Sequence, residues 1–444
     1  MNVVCAYPSP VRGGHSVWHS FPELTLAGAR KPTAETRFWR NHTVIIFDVL
    51  SPHRYLDFHA VPGIGIVKPK SLLGYHRILS QSGGVRVSPL CLGTMNFGEA
   101  WEHFMGVCKK DTAFEILDYF FEMGGNFIDT ANGYQAEESE EWLGEWMASR
   151  KNRDQLVIAT KFTGIYPSGK GGESIKTNFL GNHSKSMYLS LEASLKKLQT
   201  SYIDIFYVHW WDFSTSIPEL MQSLNRMVDA GKVLYLGISD TPAWVVSKAN
   251  EYARAHGLTQ FSIYQGKWSA SVRDFERDIL PMCESEGMAL APWGALGQGL
   301  FKSAEQRQSD EGRKGRPPTE QDIKVSETLE VVAAKKGTTI ASVALSYIMH
   351  KAPYVYPIVG VRTLEQLKGN IDSLSVDISD EDIDEIESAY PFDVGFPMTM
   401  LFGLHDPSYY KSRMTTKDVN LIKNFVSLDA VEKVRPIRRY KIDD

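Results

Sequence analysis

Three apolar runs in this chain end in a titratable residue or are followed at once by one. NFID ends at Asp129, LVIAT precedes Lys161, and IDIFYV precedes His209. Tyr134 lies five residues beyond Asp129, across a turn containing Asn132 and Gly133. Taken singly, each has an ordinary explanation: an Asp caps a helix, a Lys is solvated, a His is hydrogen-bonded and a Tyr packs. Taken together, they fall at the same end of successive strand candidates. The spacings of 32 (161 − 129) and 48 (209 − 161) leave room for one helix and one loop in each gap. A phenol of pKa about 10 is a poor acid at neutral pH, but an ammonium beside it favours its anion. Asp129 would keep Lys161 charged and aimed, and His209 would bond a substrate oxygen or assist proton transfer. Such a set suits hydride addition to a carbonyl carbon, where charge growing on oxygen must be met by a proton. No side chain supplies hydride, so a cofactor is implied.

The elements around these residues alternate regularly from about residue 86. Strand candidates are Val87–Leu92, Asn126–Asp129, Leu156–Thr160, Ile203–Val208, Val233–Ile238, Phe261–Tyr264, Met288–Ala291 and Val355–Val359. Helix candidates between and after them are Asp111–Met123, Glu137–Ser149, Lys185–Leu198, Ile217–Ala230, Pro242–Ala255, Arg273–Glu286, Asp322–Lys336 and Leu364–Asp372, with one more surface helix over Glu381–Tyr390. Eight strands joined by helical crossovers make an α/β protein with a parallel sheet. Periodicity permits either a closed barrel or an open doubly wound sheet. No G-x-G-x-x-G opens a strand–helix unit, which weighs against the open dinucleotide fold. In a barrel, the strand ends would bring Asp129, Tyr134, Lys161 and His209 to one mouth.

Composition sets the outer bounds. The chain has 444 residues, 43% hydrophobic and 23% charged, with a net charge of −5, which gives no electrostatic reason to expect nucleic acid or an anionic membrane. Four scattered cysteines without a CxxC pair read as reduced thiols of a cytoplasmic protein, not as a disulfide frame or metal site. Residues 1–70 carry five of the twelve histidines and no periodicity, and read as an irregular extension. Residues 302–320 are polar and rich in Gly and Pro, and 391–444 form an irregular tail expected to pack near the substrate pocket.

Further stretches sharpen this picture: LYLGISDTPAWVV, YQGKW, MALAPWGALGQGLF and PIVGVRTLEQLKGNI. With FIDTANGY, ATK and YVHWW, they resemble the aldo-keto reductase superfamily in chain order, most of all its fungal aryl-alcohol dehydrogenase and norsolorinic acid reductase branch. The resemblance covers about 71–390 and implies a (β/α)₈ TIM barrel with Tyr134, Lys161, Asp129 and His209 as its catalytic four. It further implies that Gly93, Thr94 and Met95 lie beneath a nicotinamide ribose. Ser239, Asp240 and Gln265 would hold the carboxamide, Asp240 standing where many relatives have Asn. Trp293 would stack on the ring, followed by Gly294, Ala295 and Leu296.

Gly360 and Arg362 lead from a strand into a helix start, where free N–H groups and a forked cation favour an anion. Gln366 and Asn370 share one helix face with Arg362. A 2′-phosphate makes that Arg useful, so NADP is the expected cofactor. In relatives the segment matching 302–320 closes over the pyrophosphate, and a lid is expected here. Aromatics at the mouth (Tyr134, Trp210, Trp211, Phe162) suit a flat or bulky carbonyl substrate. Two other readings stay open: a nucleotide-binding regulatory subunit and a non-catalytic scaffold of the same fold.

Overall fold

A computed structural model of the chain describes residues 68–166, 175–308, 317–404 and 415–429. Eight parallel strands, β1 (Cys91–Gly93), β2 (Phe127–Asp129), β3 (Val157–Phe162), β4 (Ile203–Val208), β5 (Val233–Ser239), β6 (Phe261–Lys267), β7 (Ala289–Trp293) and β8 (Ile358–Gly360), pair in sequence order, and β8 pairs back to β1. The ring closes between β7 and the segment leading into β8. There Leu290 N–H donates to Tyr354 O (2.9 Å) and Tyr356 N–H donates to Leu290 O (2.8 Å). This is a (β/α)₈ barrel.

Side chains alternate along the middle of its strands. Cys91, Phe127, Val157, Ala159, Ile205, Tyr207, Ile263, Ala289 and Ala291 fill the interior. Leu92, Ile128, Ile158, Phe206, Val208, Leu236, Tyr264 and Leu290 face the helices. A short antiparallel hairpin (Arg77–Ile78 with Arg86–Val87) adds Leu79 and Val87 to the inner cluster at the amino-terminal end of the strands. The predicted first strand, Val87–Leu92, therefore divides at Pro89, which has no N–H to give a ladder.

The helices follow from caps and apolar stripes. Those of eight residues or more among the described residues are α1 (Lys110–Glu122), α2 (Glu138–Arg150), α3 (Ser184–Lys197), α4 (Ile217–Asp229), α5 (Ala243–His256), α6 (Ile279–Glu286), α7 (Glu320–Lys336), α8 (Ile340–Lys351), α9 (Leu364–Asp372) and α10 (Asp380–Ser388). In α4 the Ser216 side chain accepts from Glu219 N–H, Pro218 sits in the first turn, and Ile217, Leu220, Met221 and Leu224 form the buried stripe. Truncating Leu220 to Ala would cost about 2–5 kcal/mol. Helix α6 starts at Ile279, not Arg273, because Pro281 is tolerated only in a first turn. Helix α8 escapes the periodicity argument: its residues 342–349 are all buried, so no polar face marks it.

Of the N-terminal stretch 1–70, only residues 68–70 are described. Within 302–320, the expected lid, Ala304–Gln308 is a short helix and Glu320 opens α7, while 309–316 lie outside the described residues. The tail is held where Arg277 donates to Asp393 O (2.7 Å) and Arg273 and Arg277 lie over the Phe392 ring. Among the described residues, no helix is long and apolar enough to cross a membrane.

Candidate active site

The inward positions at the carboxyl end of the barrel carry the polar residues. Asp129 ends β2 opposite Gly93, Lys161 lies within β3 opposite Tyr207, and His209 follows β4. Lys161 is fully buried, so its ammonium needs partners. It donates to Asp129 Oδ1 (2.5 Å), Thr130 O (2.6 Å) and the Tyr134 hydroxyl (3.3 Å). The other carboxylate oxygen of Asp129 accepts from Gln265 Nε2 on β6 (3.0 Å), so Gln265 also orients the acid. Tyr134 is half-buried, edge-on to Trp101 (6.3 Å) and to His209 (5.9 Å).

Burial governs the electrostatics. It disfavours the Lys161 ammonium, but Asp129 and Tyr134 outweigh it and hold the group above its ordinary value, hence charged. Burial also raises Asp129, against the pull of Lys161 and Gln265. The Tyr134 phenol ends above its usual value, because burial outweighs the lowering by Lys161. The expected influence of Lys161 is there, since the ammonium lowers the phenol, but burial outweighs it and the resting group keeps its proton. Burial, then Lys161, push His209 well down, so its imidazole is neutral. Its Nδ1 is buried with no partner among the described residues.

One cavity of about 970 Å³ is lined by Asp129, Tyr134 and His209 together with Gly93, Met95 and Gln265. Asp240, Trp293, Gly294, Ala295 and Leu296 continue its wall, and Gly360, Arg362, Gln366 and Asn370 line it too. Asp240 adopts φ +40, a left-handed conformation that Asp and Asn tolerate best among side-chain-bearing residues. It accepts from Trp293 Nε1 (3.2 Å), and burial raises it to about 6. Gly294 has φ +74, so the backbone turns there as only glycine does freely. Thr94 and Ser239 are buried beside the cavity rather than lining it, each with a hydroxyl lacking a partner among the described residues.

At the β8 end, Thr363 caps α9 by accepting from Gln366 N–H (3.3 Å), and Gln366 Oε1 accepts from Arg362 N–H (2.8 Å). The Arg362 guanidinium donates to Met105 O (3.4 Å). Polar side chains, a helix start and a cation along one cavity fit a dinucleotide, with Gln265 and Asp240 at the Tyr134 end and positive charge at the α9 end.

Two expected pocket residues lie elsewhere. Phe162 is fully buried and stacks on Phe206 (5.1 Å) between barrel and helices. It is one step from Lys161 on a strand, so it must face the opposite way. Trp211 is buried in the same outer core. Trp210, 42% exposed, packs against His209 (4.7 Å) at the rim. The sequence reading missed Met105 and Thr339 on the cavity wall, where Lys302, the first residue of the expected lid, also lies. Thr339 was findable as a Ser/Thr before an apolar run, with Ser342 on its hydroxyl. Met105 sits in a four-residue helix without a periodic signal.

The comparisons fall on the same stretch of chain. The model of the aldo/keto reductase family matches residues 89–391. A norsolorinic acid reductase of Emericella nidulans is 59% identical over 370 residues, 83% of this chain and 95% of that protein. Norsolorinic acid reductase B of Dothistroma septosporum is 57% identical over 82% of this chain and 94% of its own length. An aryl-alcohol dehydrogenase of Pestalotiopsis microspora is 50% identical over 84% of this chain and 95% of its own length.

Proposed function

Because the chain belongs to the aldo/keto reductase family, and so is an oxidoreductase, we propose that it reduces an aromatic or polyketide-type aldehyde or ketone to the alcohol with NADPH. Asp240 and Gln265 would hold the nicotinamide end above Gly93 and Met95, Trp293 would stack on its ring, and Arg362 with the α9 start would take the phosphates. When bound, the dinucleotide supplies the hydride. This chain's own residues do the rest. The Tyr134 hydroxyl gives its proton to the carbonyl oxygen as charge develops there. Lys161 then lies beside the phenolate left behind, held charged and aimed by Asp129. The neutral His209 ring offers an N–H to the same oxygen without adding a cation that would compete for it. Met95, Met105 and Leu296 give the cavity apolar wall that keeps water from the reacting centre.

The substrate class is supported by the rim. Trp210, Phe213 and Ile165 are exposed on the loops after β4 and β3, and such a surface prefers flat apolar compounds. The relatives' names, norsolorinic acid reductase and aryl-alcohol dehydrogenase, point the same way. A step in fungal secondary metabolism fits both.

The observation that carries this reading is Lys161 Nζ shared between the Asp129 carboxylate and the Tyr134 hydroxyl at the cavity. The test is NADPH oxidation followed by absorbance with a panel of aromatic aldehydes and ketones, wild type against Tyr134→Phe. Turnover falling by roughly 10²-fold or more in the variant is expected. Absence of turnover in wild type, with NADPH bound, would favour a regulatory protein.

A further inference from the structure

Tyr134 leads directly into a backbone run that L-residues resist. Gln135, Ala136 and Glu137 have φ of 52, 49 and 86, three left-handed residues in succession and none of them glycine. Each costs about 1–2 kcal/mol, so the surroundings must impose the conformation. Part of the hold is Gln135, fully buried, whose Nε2 donates to Met95 O (3.0 Å) and whose Oε1 accepts from Trp101 N–H (2.7 Å).

The other part is a second buried lysine. Lys197 ends α3 with its side chain 8% exposed. Its Nζ lies 2.7 Å from Asn132 O, 3.3 Å from Glu137 Oε2 and 2.8 Å from Glu140 Oε2. Asn132 stands two residues before Tyr134 and Glu137 three after it, so one ammonium grips both ends of the segment that bears the phenol. Glu140 Oε1 accepts from Thr160 Oγ1 (2.5 Å), which ties the same group to β3 one residue from Lys161. The lysine reaches this place because α2 and α3 cross at Gly144. A Cβ there would stand 2.1 Å from Lys197 O. Lys197, Glu137 and Glu140 do not line the cavity.

We propose that Lys197 is a positioning residue that, through Asn132, Glu137 and Glu140, sets the Tyr134 hydroxyl against Lys161 in a strained loop that would otherwise relax. This rests on the reading of Tyr134 as the proton donor. The Lys161–Tyr134 distance of 3.3 Å is at the long end for a hydrogen bond, so a small relaxation of the loop parts the pair.

The test uses the full chain with Lys197→Met, Lys197→Arg, Tyr134→Phe and the Tyr134→Phe/Lys197→Met double variant. Readouts are kcat and KM for NADPH-dependent reduction of an aromatic aldehyde, and NADPH affinity by fluorescence. Lys197→Met lowers kcat by about 10- to 100-fold while NADPH affinity stays within about two-fold, since a misplacement of about 1 Å carries that cost. Lys197→Arg recovers most of the loss. In the Tyr134→Phe background the same substitution costs nothing more, because both act through one group. Unchanged kcat, loss of NADPH affinity in parallel with kcat, no recovery by Arg, or a full additional loss in the double variant would each overturn the proposal. If Lys197→Met does not fold, Glu137→Gln keeps the Glu140 pair and releases only the far end of the loop. A several-fold drop in its kcat at constant NADPH affinity supports the proposal, and wild-type kcat overturns it. Retained activity in Tyr134→Phe alone would sink the assignment of Tyr134 as acid, a result distinct from all of these.

Discussion

The ammonium of Lys161 and the carboxylate of Asp129 meet at 2.5 Å with side chains 0% and 4% exposed, so each is the other's counter-charge with almost no solvent contact. Removing one leaves the other ionised and alone. Asp129→Asn should therefore lower unfolding free energy by about 3–5 kcal/mol and pull the Lys161 pKa down. Denaturant titration measures the first. A stability change under about 1 kcal/mol would mean that the pair is solvated after all.

The depressed pKa of His209 has a sign that can be checked. In the unfolded chain the ring takes a proton near its ordinary value of about 6.5, whereas in the folded chain it does not. Its contribution to stability is complete above that value and is lost as pH falls below it, by at most ~1.4 kcal/mol per pH unit. Between about pH 7.5 and 5.5, wild type should lose more stability than His209→Gln. Parallel curves for the two proteins would contradict a neutral buried ring.

Arg362 offers a fork suited to a 2′-phosphate. Arg362→Ala should weaken NADPH binding by about 10- to 100-fold and NADH binding far less, since a charged hydrogen bond contributes about 1.5–3 kcal/mol. Titration by fluorescence with both nucleotides decides it, and equal losses would remove the case for NADPH.

Trp210 and Phe162 should separate specificity from stability. Trp210→Ala should raise KM for a polycyclic aromatic ketone by about ten-fold, the value of one aromatic contact, and change KM for a small aldehyde little. Phe162→Leu, in the outer core, should lower the melting temperature and leave the ratio of the two KM values alone. A shift in that ratio for Phe162→Leu would show that the strand faces were misjudged.

Strand–helix alternation was legible because parallel strands buried on both faces read as short apolar runs; β4, Ile203–Val208, matches its expected bounds. Its closure into a barrel was not, since alternation is the same in an open sheet; the resemblance supplied it. The meeting of Asp129, Lys161 and His209 followed from where each run stopped. What stayed hidden depends on direction and distance. Phe162 and Trp211 were aromatic and close in sequence to the site, but pleating turns Phe162 outward and Trp211 falls in the outer core. Lys197 was unreadable for another reason: a lysine at a helix end is usually solvated, and only the close crossing at Gly144 buries this one.

The alternation of the barrel strands has an evolutionary corollary. Deleting one residue inside β3 would swing Thr160 inward and turn Lys161 toward the helices, abolishing the chemistry at a stroke. The segments that follow the strands, which carry Trp210, Phe213 and Ile165, are free of that parity and tolerate changes of length. The Asp129–Lys161 pair is therefore locked in the strands while selectivity sits in the loops, and descendants of this chain can trade substrates as long as Tyr134 and His209, at the very start of those loops, keep their place.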